Sequence, residues 1–395
     1  MKPLAFCLLL FVLCLTGCRQ ISEGLGVSVR PRALRDVPAA RLAFRLEPDL
    51  SPEALPANLK DEATDEPLPA IKADFESRRA EQALLGTVLS PDGQRALALY
   101  DPGNISEDEF RIDLYSSDGR FLRNILPLNL SGVSTLAVTW SPDGQWIAFA
   151  GRRPALAQPS PTPSVELPGE TLPGGTIDPT APAATQTVAP LIAPVPAYTT
   201  EQIYLCDRDG YHLRPLTSRD GLIYFSVVWS PDSSAIAALA CKETELTARL
   251  NENKPLAGRP RIIDREGGER LLDDQLMDAF PVWSPDAAKV ATAADANVFI
   301  YDAAGMPPTG ARLPLREGLL AASAKYDEQV LSKRNSSSGG TLPLSFNPVI
   351  RLEWVQPELL LIQSGFVRIY QNNETVNRYL RWHVLHLSPQ AVLLK

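Results

Sequence analysis

The chain has 395 residues, 45% of them apolar, with 36 prolines, 24 glycines and a formal net charge of −8. That apolar share supports a substantial core, and so much proline and glycine without long helix-periodic runs points to many short strands joined by turns. The acidic balance, with Lys and Arg scattered and in no stripe, excludes nucleic acid as an expected partner, because phosphate contacts supply most of that affinity.

Residues 1–18 read MKPLAFCLLLFVLCLTGC. Lys2 is a positive n-region, and residues 4–15 form an apolar run of 12. The run is too short to span a bilayer and suits the h-region of an export signal. Nothing later in the chain reaches 18 consecutive apolar residues. The run ends in Leu15-Thr16-Gly17-Cys18, which resembles the lipobox of bacterial lipoproteins. The resemblance implies that residues 1–17 are a signal peptide, that Cys18 carries a lipid thioether, and that its new amino group takes a fatty acyl chain such as palmitate. Two or three acyl chains anchor a protein stably where one does not. The expected location is therefore the bacterial cell envelope, on the extracytoplasmic side of a membrane, with that membrane as a partner through Cys18. Cys7 and Cys14 leave with the signal, and Cys206 and Cys241 remain in apolar, strand-like segments. Two buried thiols are expected there, although the compartment permits a disulfide.

Residues 18–79 read as a tether with closing strands. Residues 47–76 are acidic and proline-bearing, and residues 42–46 (LAFRL) are the best strand candidate. That strand would seed an additional sheet or complete a carboxy-terminal one.

From residue 80 the chain repeats itself. Ser90, Ser141, Ser230 and Ser284 each open a Ser-Pro-Asp tripeptide, preceded by Leu89, Trp140, Trp229 and Trp283. The serines are 51, 89 and 54 residues apart, and the long gap holds a Pro/Thr-rich insertion at about 152–200. From Pro154 to Thr200 there are eleven prolines and no Lys or Arg, a composition that does not offset its ordering entropy by burial. Without the insertion the period is close to 50 residues, one supersecondary unit that must stack on its own copies. In the second copy, 134–140 (STLAVTW), 145–150 (QWIAFA), 202–206 (QIYLC) and 211–217 (YHLRPLT) read as strands separated by tight turns. The first copy gives strands at 84–89, 95–100, 110–115 and 121–126, the third at 224–229, 235–240, 261–264 and 270–272, and the fourth at 280–283, 289–294, 297–301 and 311–315. A degenerate fifth runs over 349–354, 359–364, 379–387 and 391–394, where Trp354 holds the tryptophan position and Val355-Gln356-Pro357 replaces Ser-Pro-Asp. Four short antiparallel strands per unit describe a propeller blade.

The runs WSPDGQWIAFAG and QIYLCDRDGYHLRPLT resemble the TolB-like β-propeller repeat, and the likeness covers about residues 80–395. The fold expected is all-β, a β-propeller of four-stranded antiparallel blades. The resemblance implies six blades, while residues 80–395 supply about five units, so five and seven stay open. It further implies a protein-interaction scaffold of the cell envelope. The chain departs from TolB itself in lacking room for a complete amino-terminal α/β domain and in carrying the lipobox.

Asp92, Asp143, Asp232 and Asp286 recur at one repeat position, and a ring of acids invites a metal. Their place in a turn, with Gly93 and Gly144 ready for positive φ, explains them without one. Asp207-Arg208-Asp209-Gly210 resembles part of a calcium loop, but the first and twelfth positions would be Leu205 and Leu216, so the EF-hand pattern fails. Trp140, Trp229, Trp283 and Trp354 read as core between repeats. His383 and His386, three apart on a strand, face opposite sides and make a poor metal pair; His212 stands alone. Neither Gly-x-Ser-x-Gly nor a Walker loop occurs. No catalytic residue, metal or cofactor is expected. The leading expectation is a non-catalytic, lipid-anchored propeller that binds an envelope protein or glycan. The alternative is a six-bladed enzyme or ligand binder acting on a sugar, lactone or peptide at the central channel.

Overall fold

A computed structural model describes residues 33–60, 66–103, 110–127, 130, 137–153, 200–305, 308–333, 344–346, 348–369 and 376–390. Cys18, the signal segment and most of the Pro/Thr-rich insertion lie outside the described residues, as does the strand expected at 391–394. The chain divides into two compact units: a central unit of residues 61–278, and a terminal unit of residues 1–60 with 279–395.

The regular elements are mainly strands paired antiparallel, and β1 (Leu42–Glu47) belongs to the last sheet to form along the chain. In the central unit β2 (Ala83–Leu89), β3 (Arg95–Asp101), β4 (Arg111–Ser116) and β5 (Phe121–Asn124) make a four-stranded meander. β6 (Val138–Trp140), β7 (Trp146–Arg153), β8 (Thr200–Asp207) and β9 (Arg214–Pro215) make a second, and β10 (Leu222–Trp229), β11 (Ala235–Lys242), β12 (Arg259–Asp264) and β13 (Glu269–Leu271) a third. A single parallel pair, Ile223 with Glu201, joins the second and third meanders into one ladder. The insertion sits between β7 and β8, where the sequence placed it.

The middle strands carry apolar residues on both faces because both faces are covered. On β3 and β4, Leu97, Leu99, Ile112 and Leu114 face the core shared with the second and third sheets, which includes Trp140, Ile147, Phe149, Ile203 and Trp229. Ala96, Ala98 and Tyr115 point the other way and are covered by a helix. After a single turn, α1 (Ala57–Lys60), α2 (Pro69–Arg78) buries Ile71 and Phe75 completely, with Phe75 5.2 Å from the Tyr100 ring. Residues 69–76, part of the acidic stretch read as tether, are thus a docked cap on the first sheet. α2 was not foreseen; its apolar residues sit four apart with Pro69 opening the helix, a signal too short to stand out in an acidic stretch.

In the terminal unit β14 (Ala279–Trp283), β15 (Lys289–Ala294), β16 (Asn297–Asp302) and β17 (Gly310–Pro314) form a fourth meander. The fifth sheet joins β19 (Val349–Gln356), β20 (Leu359–Ile369) and β21 (Val376–Pro389), with the short β18 (Leu344–Phe346) on the far half of β20. Its fifth strand is β1, antiparallel to β21 from Leu42 opposite Pro389 to Glu47 opposite Val384. The strand expected from residues 42–46 therefore exists and completes the carboxy-terminal sheet. Against the expectation of six blades, the described residues hold four sheets of five, eight, four and four strands, the eight-stranded one made of the second and third meanders. Leu42 joins a core with Val298, Ile300, Leu352, Trp354, Leu385 and Leu387. α3 (Glu243–Asn251) and α4 (Arg316–Lys333) follow β11 and β17, and neither was read from the sequence.

One irregularity recurs. The first strand of four sheets carries a bulge against the second: at Leu85, at Ser226-Val227, at Phe280-Pro281 and at Ile350. A bulge turns a side chain out of the alternation that would otherwise bury it.

Candidate functional site

The Ser-Pro-Asp turns are built alike. Each serine is buried, and its hydroxyl donates to the aspartate two residues on: Ser90 to Asp92 at 2.7 Å, Ser141 to Asp143 at 2.5 Å, Ser230 to Asp232 and Ser284 to Asp286 at 2.6 Å. The same oxygen accepts the backbone N–H that starts the next strand, from Arg95, Trp146, Ala235 and Lys289. The aspartate oxygen also accepts the N–H of Gln94, Gln145, Ser234 and Ala288. The Ser90 hydroxyl, with the Gln94 amide, lowers the Asp92 carboxyl to about 2. At Asp232 burial acts upward, but hydrogen bonds from Ser230 and Ser234 prevail and hold the carboxyl below its ordinary range. The fourth turn residue has positive φ in every copy: Gly93 68°, Gly144 68°, Ser233 60° and Ala287 57°. The four aspartates are thus occupied as turn acceptors, and no group of three or more His, Cys, Asp or Glu among the described residues has the geometry to hold a metal. The sequence pointed to the aspartates and glycines; the serine at the centre of the turn was missed, although its recurrence in all four copies was the available signal.

The second turn follows the same logic. Asp207 accepts the N–H of Asp209 at 3.0 Å and of Tyr211 at 2.8 Å, and Gly210 takes φ 73°. These turns also clasp one sheet to the next inside the central unit. Arg95 pairs with Asp209 at 2.7 Å, and Arg208 returns to Asp92 at 2.8 Å. The Arg123 guanidinium lies 3.4 Å from the centre of the Tyr211 ring and donates to the Gly210 carbonyl. His212, exposed, meets Asp207 at 2.8 Å.

The four tryptophans are buried, 6 to 8% exposed. Trp140 donates its indole N–H to the Val88 carbonyl of the neighbouring sheet at 3.1 Å, and Trp354 donates to the Pro357 carbonyl at 3.2 Å. They are packing elements. Cys206 and Cys241 are free and buried, and burial raises their thiols to about 12 and about 11.

Three buried polar groups were not foreseen. Asp113, fully buried between β3 and β5, meets Arg79 at 2.5 Å and accepts from Asn124 at 2.8 Å. Burial raises its carboxyl against the pull of Arg79. Glu201, at the junction of the second and third sheets, is pushed up to about 7 by burial, opposed by Arg152. In the terminal unit Ser364 Oγ lies 2.8 Å from His383 Nε2, and Asp49 Oδ1 lies 3.8 Å from His383 Nδ1. The composition is that of a nucleophile triad, but the hydrogen bonds run the other way. His383 Nδ1 accepts the backbone N–H of Asp49 at 3.0 Å, so the neutral ring carries its proton on Nε2 and donates it to Ser364. Both side chains are fully buried. The group fastens the chain after β1 to the sheet and offers no base to a serine. His386, on the opposite face of β21, is part-exposed and meets Glu47 at 2.9 Å.

Three of the four bulges leave an apolar side chain exposed, while Ser226 and Val227 at the β10 bulge are buried. The bulge residues Leu85, Phe280 and Ile350 are 40, 56 and 42% exposed. Phe280 and Ile350 sit on the neighbouring first strands of the two terminal-unit sheets. Thr292, fully buried, donates to the Ala279 carbonyl at 2.6 Å and holds the β14 bulge in shape. The sequence signal was the break in alternation at Ala279-Phe280-Pro281-Val282.

No protein-family model and no curated protein matches this chain. Solved structures similar to it include a putative TolB from Agrobacterium tumefaciens, 13% identical, TM-score 0.28, over 78% of this chain and 90% of that one. They also include an oligogalacturonate lyase from Vibrio parahaemolyticus, 10% identical, TM-score 0.28, over 78% of each chain. Prolyl oligopeptidase B from Galerina marginata is 10% identical, TM-score 0.40, over 88% of this chain and 43% of that one.

Proposed function

We propose that this chain is a non-catalytic binding module of the bacterial cell envelope, a β-propeller tethered by lipid on Cys18 that presents apolar side chains to a protein or glycan partner. The observation that carries the reading is the division of labour within the repeat. The polar motif residues are used up in turns, while the bulges of two neighbouring first strands in the terminal unit turn Phe280 and Ile350 out to solvent. Exposed apolar side chains held by bulged, well-braced strands suit a docking surface. The pairing of β1 with β21 supports a last blade completed by the amino-terminal strand. The lipobox Leu15–Cys18 supports the location.

Cross-linking capture in intact cells tests the binding. The wild type is expected to recover one partner or polymer repeatedly, and a Phe280→Asp, Ile350→Asp chain that keeps its far-UV and near-UV circular dichroism is expected to lose it. Equal recovery by both chains contradicts the reading. Metabolic labelling with a fatty-acid analogue tests the anchor: label on the wild type and none on Cys18→Ser is the expected pair of results.

A further inference from the structure

The chain leaves β1 through Asp49, in the left-handed region at φ 64°, and Leu50 then donates to the Trp382 carbonyl at 2.8 Å. Leu50, Leu55 and Leu59 pack behind this point against Leu361, Trp382 and Val384. The fastening at the corner is polar: Ser364 and His383 are buried, and Asp49 and Arg381 are part-exposed. His383 Nδ1 accepts the Asp49 N–H, its Nε2 meets Ser364, and Arg381 pairs with the Asp49 carboxylate. We propose that this corner is an acid-sensitive latch: a proton on His383 releases β1 and the strap that follows it from β21, while the neighbouring sheet β14–β17 stays folded.

The reason lies in donor and acceptor count. The backbone N–H of Asp49 has no second role; it donates. A protonated imidazole has no lone pair to receive it, so two N–H groups would face each other across 3.0 Å. The charged ring would also be fully buried, beside the Arg381 guanidinium. The Asp49 carboxylate, 3.8 Å from Nδ1, is already shared with Arg381, so one anion would serve two cations. Burial first, and the Arg381 charge second, lower the imidazole from 6.5 to about 4. The next titratable pair along the same strands, Glu47 with His386, sits at the surface. By linkage the penalty is absent above pH 6.5, where the released ring is neutral too. It grows about tenfold per pH unit as the pH falls toward 4, and then levels off once both states bind the proton. The latch stands on the folded corner alone and holds whether or not Cys18 is lipidated.

Two measurements on the full chain test it. Amide hydrogen exchange, corrected for intrinsic rate, is expected to show β1 losing protection about tenfold per pH unit between 6.5 and 4 relative to β14–β17. A His383→Gln chain is expected to show a flat ratio over the same range. Nitrogen-15 spectra of the wild-type imidazole read the latch without any variant, and a neutral ring protonated on Nε2 and titrating well below 6.5 is expected. Protection of β1 that persists to pH 4, loss of β14–β17 at the same pH, or titration of His383 near 6.5 would each overturn the proposal.

Discussion

The two sheets of the terminal unit are assembled by different routes. β14–β17 is one contiguous segment with an intact Ser-Pro-Asp turn, and its strands fall within one residue of where the repeat placed them. The β19–β21 sheet has lost that turn and takes an edge strand from β1, 345 residues earlier by the Ala43–Ser388 pairing. The contiguous sheet is held by turn hydroxyls and by buried Lys289, which reaches Asp302 at 2.9 Å and the Val37 carbonyl at 2.6 Å. The borrowed-strand sheet is held by a titratable corner. The difference teaches that a degenerate repeat keeps its tryptophan while it gives up its turn, and that the lost local bonds are replaced by long-range ones.

The largest test of that contrast lies in what the two sheets share. Trp283→Ala and Trp354→Ala are each expected to cost about 4 kcal/mol, measured by urea denaturation, since both indoles are buried and leave comparable cavities. A small loss at Trp354 alone would mean that the fifth sheet is packed on another principle. Acidification separates the sheets next. The folded pKa of His383 is depressed, so its contribution is full above 6.5, the unfolded value, and lost as the pH falls toward about 4. About 3 kcal/mol should go from the borrowed-strand sheet over that range, and much less from β14–β17. A smaller effect is expected at the turn. Ser284→Ala should cost about 2 kcal/mol in urea, because it leaves the Lys289 N–H without its hydroxyl partner. Val355→Ser, at the matching place in the fifth sheet, should gain nothing, since that position is 37% exposed. The smallest is a gain: Ala287→Gly relieves φ 57° and should stabilise by about 1 kcal/mol in the same titration.

Much of the scaffold was readable because the repeat is local. The turn tripeptide, the tryptophan before it and the apolar middle strands lie within one short window, and the strands of the first four sheets follow from them. The expected strand at 211–217 shrank to Arg214–Pro215, where Pro215 cannot donate to the ladder. The helices were missed because they interrupt a strand pattern: α2 buries Ile71 and Phe75, and α4 buries Leu319 and Ala322. The corner of Asp49, Ser364 and His383 had no sequence signal, since its members meet only when β1 finds β21. Residues 42–46 announced a strand, but no pattern named its partner. Of the site, the aspartates, glycines and tryptophans were legible as structure; the exposed bulge side chains were not, because a bulge shows only as a small break in alternation.

The pairing of β1 with β21 is most directly tested by a cysteine pair at Arg45 and His386, which stand directly opposite in the ladder. Opposed residues on antiparallel strands lie about 5.5 Å apart between Cα atoms, inside the span a disulfide bridges. Mild oxidation of the Arg45→Cys, His386→Cys chain should give an intramolecular disulfide in nearly every molecule, read by mass spectrometry of the linked peptides. Thiols that stay reduced in the folded chain, or bonds found only between chains, would contradict the borrowed strand.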